Sequence, residues 1–160
     1  MKTSPTNNRP ALGLLVLIAA ATCLASILSL AASTDATLHP EFWLPPDQHQ
    51  TQDAERPTLI VFSADWCGPC TTFKRRALTR PEVQQAMTGR LNAIHADLTA
   101  PDSSARAAEV LANQYDITVL PTTLLIGTDG TVIRRLTGGL DAHHFLQWLE
   151  EALATPANSR

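Results

Sequence analysis

Cysteine is scarce in this sequence, since its 160 residues contain only three, too few for a small scaffold held together by disulfides. Charged residues are also few, at 17%, but hydrophobic residues make up 44%, and this balance excludes a chain that is disordered throughout. There is no excess of basic residues either, because the net charge is −3. A surface that binds phosphates needs clustered lysine and arginine, so the composition argues against nucleic acid as a partner.

Residues 11–34 contain no charged side chain and are dominated by Leu, Ala, Ile and Val. All 15 acidic residues and 10 of the 12 basic residues lie in residues 35–160. As a helix, the uncharged run would be about 36 Å long, enough to cross a hydrocarbon core of ~30 Å. Lys2 and Arg9 precede it and the next basic residue is Arg56, so the positive-inside rule places the rest of the chain outside the cytoplasm.

Three interpretations of this N-terminal run compete. Its length favours a retained membrane anchor, because the apolar core of a cleaved signal peptide usually has only about 7–15 residues. Cleavage is the alternative, since Ser29-Leu30-Ala31 is a tolerable site with small residues at both ends. A lipoprotein acylated at Cys23 is the third, but Thr22 fits poorly before the acylated cysteine, and Cys23 is more simply an apolar residue of the span.

The sequence divides into three parts. Residues 1–34 form the N-terminal membrane anchor or signal segment, residues 35–57 form a proline-rich linker, and residues 58–155 form one folded domain. The prolines of the linker exclude regular elements there. The linker also contains one apolar patch, Phe-Trp-Leu at residues 42–44, which suits either the membrane interface or a contact with the domain.

Strand and helix patterns alternate along the domain in the order β-α-β-α-β-β-α. The short apolar run Thr58–Ser63 is typical of a buried strand. Asp102 and Asp141 are expected N-caps of the third and last helices. Ala107, Leu111 and Tyr115 are expected to share the buried face of the third. The predicted strands are residues 58–63, 91–97, 122–126 and 131–137, and the predicted helices are residues 67–78, 81–87, 102–115 and the segment after 141.

This order predicts an α/β fold. Its first half is a crossover unit that yields parallel strands, and its second half is a hairpin that yields antiparallel ones. We expect a four-stranded mixed sheet with helices on both faces. The hairpin turn contains Asp129-Gly130, a pair typical of turns in which both positions have φ > 0.

The motif Trp66-Cys67-Gly68-Pro69-Cys70 follows the first strand and opens a helix. The N–H groups and the dipole at a helix N-terminus stabilise a thiolate, so we expect Cys67 to be the nucleophile, next to solvent. Cys70 lies one turn later, more buried and within disulfide reach, and is the expected resolving cysteine that attacks a mixed disulfide on Cys67. Such an exchange needs no cofactor.

Two other interpretations of the cysteine pair are weaker. A zinc site would need two more ligands, but no second CxxC exists and the five histidines are scattered, so we predict no metal. A structural disulfide across two intervening residues would close too small a loop to stabilise the chain much. A redox pair is therefore the favoured interpretation.

The motif WCGPC resembles the active site of the thioredoxin superfamily, and the resemblance covers residues 58–153. Leu120-Pro121 is similar to the cis-proline loop of that family, and Gly138 to a glycine after its last strand. Within the superfamily, residues 64–67 (ADWC), 80–86 (RPEVQQA) and 97–100 (DLTA) are most similar to the C-terminal periplasmic domain of DsbD membrane reductases.

This resemblance implies a thioredoxin-like fold and roles for several residues. The Leu120-Pro121 bond would be cis, and the backbone of Leu120 would pair with an extended substrate segment. Trp66 would shield the disulfide and contribute to the docking surface. One departure matters, because the family's buried acid for proton transfer is replaced by Val61, and its partner lysine by Ala93.

The sequence gives only weak evidence for a catalytic role of the remaining polar residues near the motif. Lys74-Arg75-Arg76 most simply forms the outer face of the active-site helix, although these residues would add to the positive field near Cys67. His95 alternates with apolar residues on a strand, which is more typical of a packed or exposed side chain than of a catalytic one.

The function expected from these observations is an exported or membrane-tethered thiol-disulfide oxidoreductase, a reductant on the periplasmic side of the bacterial membrane. Its partners would be client proteins with disulfides, an upstream electron donor, for which a membrane thiol reductase is a candidate, and the membrane itself through residues 11–34. The alternatives are a protein that handles copper or zinc, a disulfide oxidant or isomerase, and a tethered adaptor without turnover.

Overall fold

The computed structural model describes residues 42–47 and 53–155, so the predicted membrane segment 11–34 and Cys23 lie outside the described residues. Within the part of the chain that is described, no helix combines the length and the apolar character needed to span a bilayer. The elements occur in the predicted order. They are β1 Thr58–Ser63, α1 Gly68–Phe73, a π-helical turn Lys74–Leu78, α2 Pro81–Met87, β2 Asn92–Asp97, α3 Ser103–Gln114, β3 Thr122–Ile126, β4 Val132–Thr137 and α4 Ala142–Leu153.

The four strands form one mixed sheet in the order β2-β1-β3-β4, which confirms the predicted α/β architecture. β1 and β2 are parallel, with Thr58 beside Asn92 and Ser63 beside Asp97. β3 runs antiparallel to both β1 and β4. The parallel pair requires a crossover, which α1 and α2 provide, whereas β3 and β4 form the predicted hairpin.

Alternation along β1 distributes its side chains between two cores. Leu59 and Val61 pack in the core with α1, α2 and α4, and Ile60 and Phe62 pack in the core with α3. Helices therefore cover both faces of the sheet, as predicted. In α3 the predicted Leu111 is buried, and Tyr115 at the end of the helix packs against the same core. The other buried positions are Ala108 and Ala112 rather than the predicted Ala107, because the sheet surface decides which side of the helix is covered.

The predicted helix N-caps are confirmed. The Asp102 carboxylate accepts a hydrogen bond from the N–H of Ser104, and the Asp141 carboxylate accepts one from the N–H of His144. Each aspartate thereby satisfies an N–H group that has no partner within the first turn of its helix.

The turn between β3 and β4 differs from the prediction. Gly130 has a φ of 79°, but Asp129 is not in the positive-φ region. The Asp129 carboxylate instead accepts hydrogen bonds from the N–H and the hydroxyl of Thr131. The loop is longer than a two-residue turn, so it needs the left-handed conformation only at Gly130.

The sequence allowed the apolar patch at residues 42–44 to lie either in the membrane interface or against the domain. In the structure it packs against the domain. Trp43 is only 4% exposed and belongs to the core that contains Val61 and Ala93. The N–H of Leu44 donates to the carbonyl of Ala93 at 2.9 Å. The packed region therefore begins before Thr58 and covers the outer edge of β2.

Candidate functional site

The Cys67–Cys70 pair lies where β1 ends and α1 begins. Cys67 is the N-cap residue of α1, and its sulfur accepts a hydrogen bond from the N–H of Cys70 at 3.2 Å. Pro69 in the first turn loses no helical hydrogen bond, because the N–H that it lacks would have no partner within the helix. The predicted position of Cys67 at the helix N-terminus is confirmed.

Cys67 and Cys70 form a disulfide, with their Cα atoms 5.2 Å apart. Ala64 packs against the pair, and Leu98 and Leu120 cover it from neighbouring loops. The exposed fraction is 4% for Cys67 and 1% for Cys70. The predicted order of burial holds, but Cys67 is less open to solvent than expected because these apolar side chains close over it. The assignment of nucleophile and resolving cysteine stays a prediction.

Two exposed apolar residues, Trp66 and Val119, directly precede Cys67 and Leu120 in the chain. Trp66 is 75% exposed, so it is not a packed core aromatic. The Leu120-Pro121 bond is cis, as the resemblance implied. Val119, which precedes this loop and is 50% exposed, was not singled out from the sequence. The sequence feature that could have identified Val119 is its apolar side chain directly before Leu120-Pro121.

A groove borders the disulfide motif on the side of α4. It has a volume of about 350 Å³. The N–H of Gly138 donates to the carbonyl of Pro121 at 2.8 Å, which ties the loop before α4 to the cis-proline loop. The groove is lined by Pro69, Thr72, Phe73, Arg76, Gly139, Leu140 and Asp141.

No carboxylate lies at the two positions where the family has its buried acid and lysine. Val61 and Ala93 are 1% and 4% exposed and pack in the same apolar core. The sequence-based conclusion that these positions offer no proton acceptor is consistent with this packing.

A polar cluster nevertheless lies at the carboxyl ends of β1 and β2. The Ser63 hydroxyl is 2.7 Å from His95 Nε2, and Lys74 Nζ is 3.7 Å from Asp97 Oδ2. Arg75 is exposed, as predicted for the outer face of the helix, but Lys74 is mostly buried and points towards Asp97. The prediction that Lys74 lies on the outer face is wrong, because the carboxylate of Asp97 at the end of β2 binds its ammonium group.

The titration of this cluster follows from its burial. Burial, and after it the charge of Lys74, lowers the pKa of His95 to about 4, although the charge of Asp97 opposes this shift. For Asp97, burial acts to raise the pKa, but hydrogen bonds from Thr99 and the charge of Lys74 leave it lower than usual. At neutral pH the cluster therefore contains a neutral imidazole beside an ion pair.

No three His, Cys, Asp or Glu side chains within residues 42–47 and 53–155 come together as a candidate metal site.

Comparison with known proteins supports the same family. The sequence model of the thioredoxin-like domain matches residues 44–153. The thiol:disulfide interchange protein DsbD of Cronobacter sakazakii is 33% identical over 109 residues, 67% of this chain and 18% of that protein. Chloroplastic thioredoxin Y of Oryza sativa subsp. japonica is 30% identical over 102 residues, 64% of this chain and 54% of that protein. The chain thus spans less than a fifth of the DsbD proteins that it matches.

Solved structures agree with this assignment. The oxidised C-terminal domain of Neisseria meningitidis DsbD has a TM-score of 0.51 and 28% identity, covering 67% of this chain and 89% of that domain. A thioredoxin from Thermus thermophilus has a TM-score of 0.58 at 20% identity, covering 70% of this chain and 86% of that one, a likeness of fold alone. With the family match over residues 44–153, the cis-proline loop and the Cys67–Cys70 disulfide, this chain belongs to the thioredoxin-like domain family.

Proposed function

We propose that this chain is a membrane-tethered or exported thiol-disulfide oxidoreductase that reduces the disulfides of client proteins. The observation that carries this proposal is the Cys67–Cys70 disulfide at the N-terminus of α1, covered by Leu120 of the cis-proline loop. Trp66, next to Cys67, and Val119, next to Leu120, are exposed apolar residues that a client could contact. The similarity to thiol:disulfide interchange proteins supports the same reaction.

In the proposed reaction the Cys67 thiolate attacks one sulfur of a client disulfide, and the other client sulfur leaves as a thiolate. The Cys70 thiolate then attacks the sulfur of Cys67, which releases the second client thiolate and forms the Cys67–Cys70 disulfide. Two electrons pass from the chain to the client. An upstream dithiol must then reduce the chain again, and a membrane thiol reductase is the candidate donor.

The exchange is tested by turnover and by trapping. Reduced full-length protein should reduce insulin in the presence of dithiothreitol, and both Cys67→Ser and Cys70→Ser should abolish this activity. Cys70→Ser should also retain client proteins as mixed disulfides on Cys67, whereas Cys67→Ser should not. Insulin reduction by Cys67→Ser that is faster than reduction by dithiothreitol alone would contradict the proposed reaction.

The residues between the cysteines favour a reducing couple. Gly68-Pro69 contributes no side-chain donor and one N–H fewer than two ordinary residues, so it stabilises the Cys67 thiolate only moderately. We therefore expect a potential nearer to that of thioredoxin, about −270 mV, than to that of DsbA, about −120 mV. Equilibration against glutathione and dithiothreitol measures it, and a value above about −170 mV would contradict a reductant.

The proposed location is the periplasmic side of the bacterial cytoplasmic membrane. The support is the uncharged run 11–34 and the basic residues Lys2 and Arg9 before it. Fractionation should find the full-length chain in the membrane fraction. A soluble protein that begins near Ala32 would instead identify a cleaved signal peptide.

Metal handling and docking without turnover are the competing functions. A copper- or zinc-handling protein would retain about one metal ion per chain after purification, bound through the reduced Cys67 and Cys70 thiolates. An adaptor would form mixed disulfides without reducing insulin. The measured metal content and insulin turnover therefore separate the three functions.

A further inference from the structure

The chain enters the cysteine motif through a tight turn. Residues 64–67 form this turn, since the N–H of Cys67 donates to the carbonyl of Ala64 at 3.1 Å. The turn leaves Cys67 at the N-cap of α1, where its sulfur accepts a hydrogen bond from the N–H of Cys70 at 3.2 Å. In the oxidised chain the bond to the Cys70 sulfur also holds this atom. In the reduced chain that bond is gone, so the place of the Cys67 sulfur depends on the position of the turn.

The side chain of Thr99 binds this turn from another part of the chain. Its hydroxyl oxygen accepts a hydrogen bond from the N–H of Asp65 at 2.8 Å, although the two residues are 34 positions apart. The hydrogen bond that closes the turn uses the N–H of its last residue, so the N–H of Asp65, its second residue, is left for Thr99. Thr99 therefore fixes the turn at the first of its two central residues.

Asp97 holds the hydroxyl of Thr99 from the other side. The hydroxyl donates to Asp97 Oδ1 at 2.7 Å, and the N–H of Thr99 donates to the same oxygen at 2.9 Å. Asp97 Oδ2 lies 3.7 Å from Lys74 Nζ, and both side chains are mostly buried. A hydroxyl that donates to a carboxylate is a stronger acceptor for its second partner, because hydrogen bonds in a chain polarise one another. Since Lys74 directly follows α1, these contacts join the turn before Cys67 to the end of the active-site helix.

The backbone next to Thr99 is fixed at the same place. The N–H of Leu98 donates to the carbonyl of Ser63 at 3.0 Å, and the side chain of Leu98 packs against the cysteine pair. Residues 98 and 99 are therefore bonded on either side of Ala64, at Ser63 and at Asp65. Because Ala64 also packs against the two cysteines, the segment that holds the turn lies beside the disulfide.

We propose that Thr99 is a positioning residue of the redox site, whose hydroxyl holds the turn of residues 64–67 and so keeps the Cys67 sulfur at the N-terminus of α1 once the disulfide is open. The inference rests on the proposed oxidoreductase function. Thr99 acts through the N–H of Asp65. At the helix N-terminus the N–H groups of the first turn stabilise the thiolate, so a turn that is free to shift makes the Cys67 thiol less acidic.

The test measures the acidity of Cys67 in full-length protein that carries Cys23→Ser and Cys70→Ser, which leaves Cys67 as its only thiol. The rate of alkylation by iodoacetamide is followed against pH, and its midpoint is the pH at which half of Cys67 is thiolate. We expect Thr99→Val to move this midpoint upward, so that below it the thiolate fraction is about three- to tenfold smaller, as for the loss of one hydrogen bond. The plateau at high pH should not fall, because a more basic thiolate is at least as nucleophilic.

Two further variants separate the hydroxyl from its surroundings. Thr99→Ser keeps the hydroxyl and should restore the midpoint of the parent. Thr131→Val is the matched control, because Thr131 donates its N–H and its hydroxyl to Asp129 Oδ1 at 3.0 and 2.7 Å. That turn follows Ile126, which pairs with Thr58 at the start of β1, so it lies at the other end of the sheet from the motif. Thr131→Val should leave the whole pH profile unchanged.

Folding of each variant is checked by urea unfolding, and Thr99→Ala, with the same expected shift, replaces Thr99→Val if the latter does not fold. An unshifted midpoint in the folded variant would overturn the positioning role. A lower plateau without a shift, or an equal shift in Thr99→Ser, would also overturn it, since either indicates a loss of structure rather than of the hydroxyl. Insulin reduction by Cys23→Ser, with both motif cysteines present, tests the proposed function separately. Its absence would refute that function, whereas an unshifted midpoint in an active protein refutes only the role of Thr99.

Discussion

At the scale of single residues, the two cysteines differ mainly in their position on the helix. Cys67 is the N-cap of α1 and Cys70 lies within its first turn. The N-cap position exposes a sulfur to the unpaired N–H groups of the helix, here the N–H of Cys70. This difference in position, more than the small difference in burial, supports the assignment of Cys67 as nucleophile.

The order of alkylation tests that assignment. When the reduced protein is treated with iodoacetamide near pH 7, we expect Cys67 to be modified several-fold faster than Cys70, because the thiolate is the reactive form. Peptide mass spectrometry measures both rates in one sample. Faster labelling of Cys70 would reverse the two roles.

His95 should make stability depend on pH. Its pKa is about 4 in the folded chain against an ordinary 6.5, so below pH 6.5 the unfolded chain binds a proton that the folded chain does not. Stability should therefore fall by about 3 kcal/mol as the pH decreases from 6.5 to 4, and this contribution should level off below pH 4.

Urea unfolding at several pH values measures this loss. His95→Gln should remove most of the decline between pH 6.5 and 4, whereas the exposed His143→Gln should retain it. Parallel declines in the parent and in His95→Gln would show that other groups account for the acid sensitivity.

At the scale of elements, the loop between β4 and α4 connects the two halves of the site. Gly138, with a φ of 90°, turns the chain so that its N–H reaches the carbonyl of Pro121. Gly139 then passes so close to α1 that a Cβ there would lie 2.7 Å from the Cβ of Phe73. The absence of a side chain at Gly139 lets this loop pack against the active-site helix.

Gly139→Ala should therefore destabilise the domain by about 1–3 kcal/mol, because the loop and α1 must move apart. Gly68→Ala is the matched control, since a Cβ there meets no atom within 4 Å, and its stability should equal or exceed that of the parent. The free energy of unfolding in urea measures both changes. Equal stability of Gly139→Ala and the parent would mean that the loop relaxes freely.

At the scale of the whole molecule, the segment around Trp43 extends the domain beyond the regular strands. Leu44 forms a parallel bridge to Ile94, and the N–H of His95 donates to the carbonyl of Leu44 at 3.1 Å. Trp43 fills a place in the core beside β2. Trp43 and Leu44 are therefore part of the folded unit.

Trp43→Ala should lower the free energy of unfolding by roughly 3 kcal/mol or more, because it removes a large buried side chain and leaves a cavity. Phe42 is only partly buried beside it, so Phe42→Ala should cost clearly less. Urea unfolding of both variants provides the comparison. A similar, small loss in both would show that the segment detaches without affecting the core.

Much of this protein could be predicted from sequence because the signals are local. The bounds of Thr58–Ser63 and Pro81–Met87 agree with the structure, and Asp102 and Asp141 cap the expected helices. Periodicity, caps and the CxxC spacing involve residues within a few positions of one another, so they can be read without knowing the fold.

Tertiary structure alone decided the features that join distant parts of the chain. Ser63 and His95 are 32 residues apart, and only the parallel register of β1 and β2 brings them together. Lys74 turns inward because Asp97, on another element, binds it. Trp43 is buried because β2 presents an open edge to its segment. The motif by itself determined the expected chemistry at Cys67 and Cys70, whereas the polar groups available near it depend on contacts that no local pattern encodes.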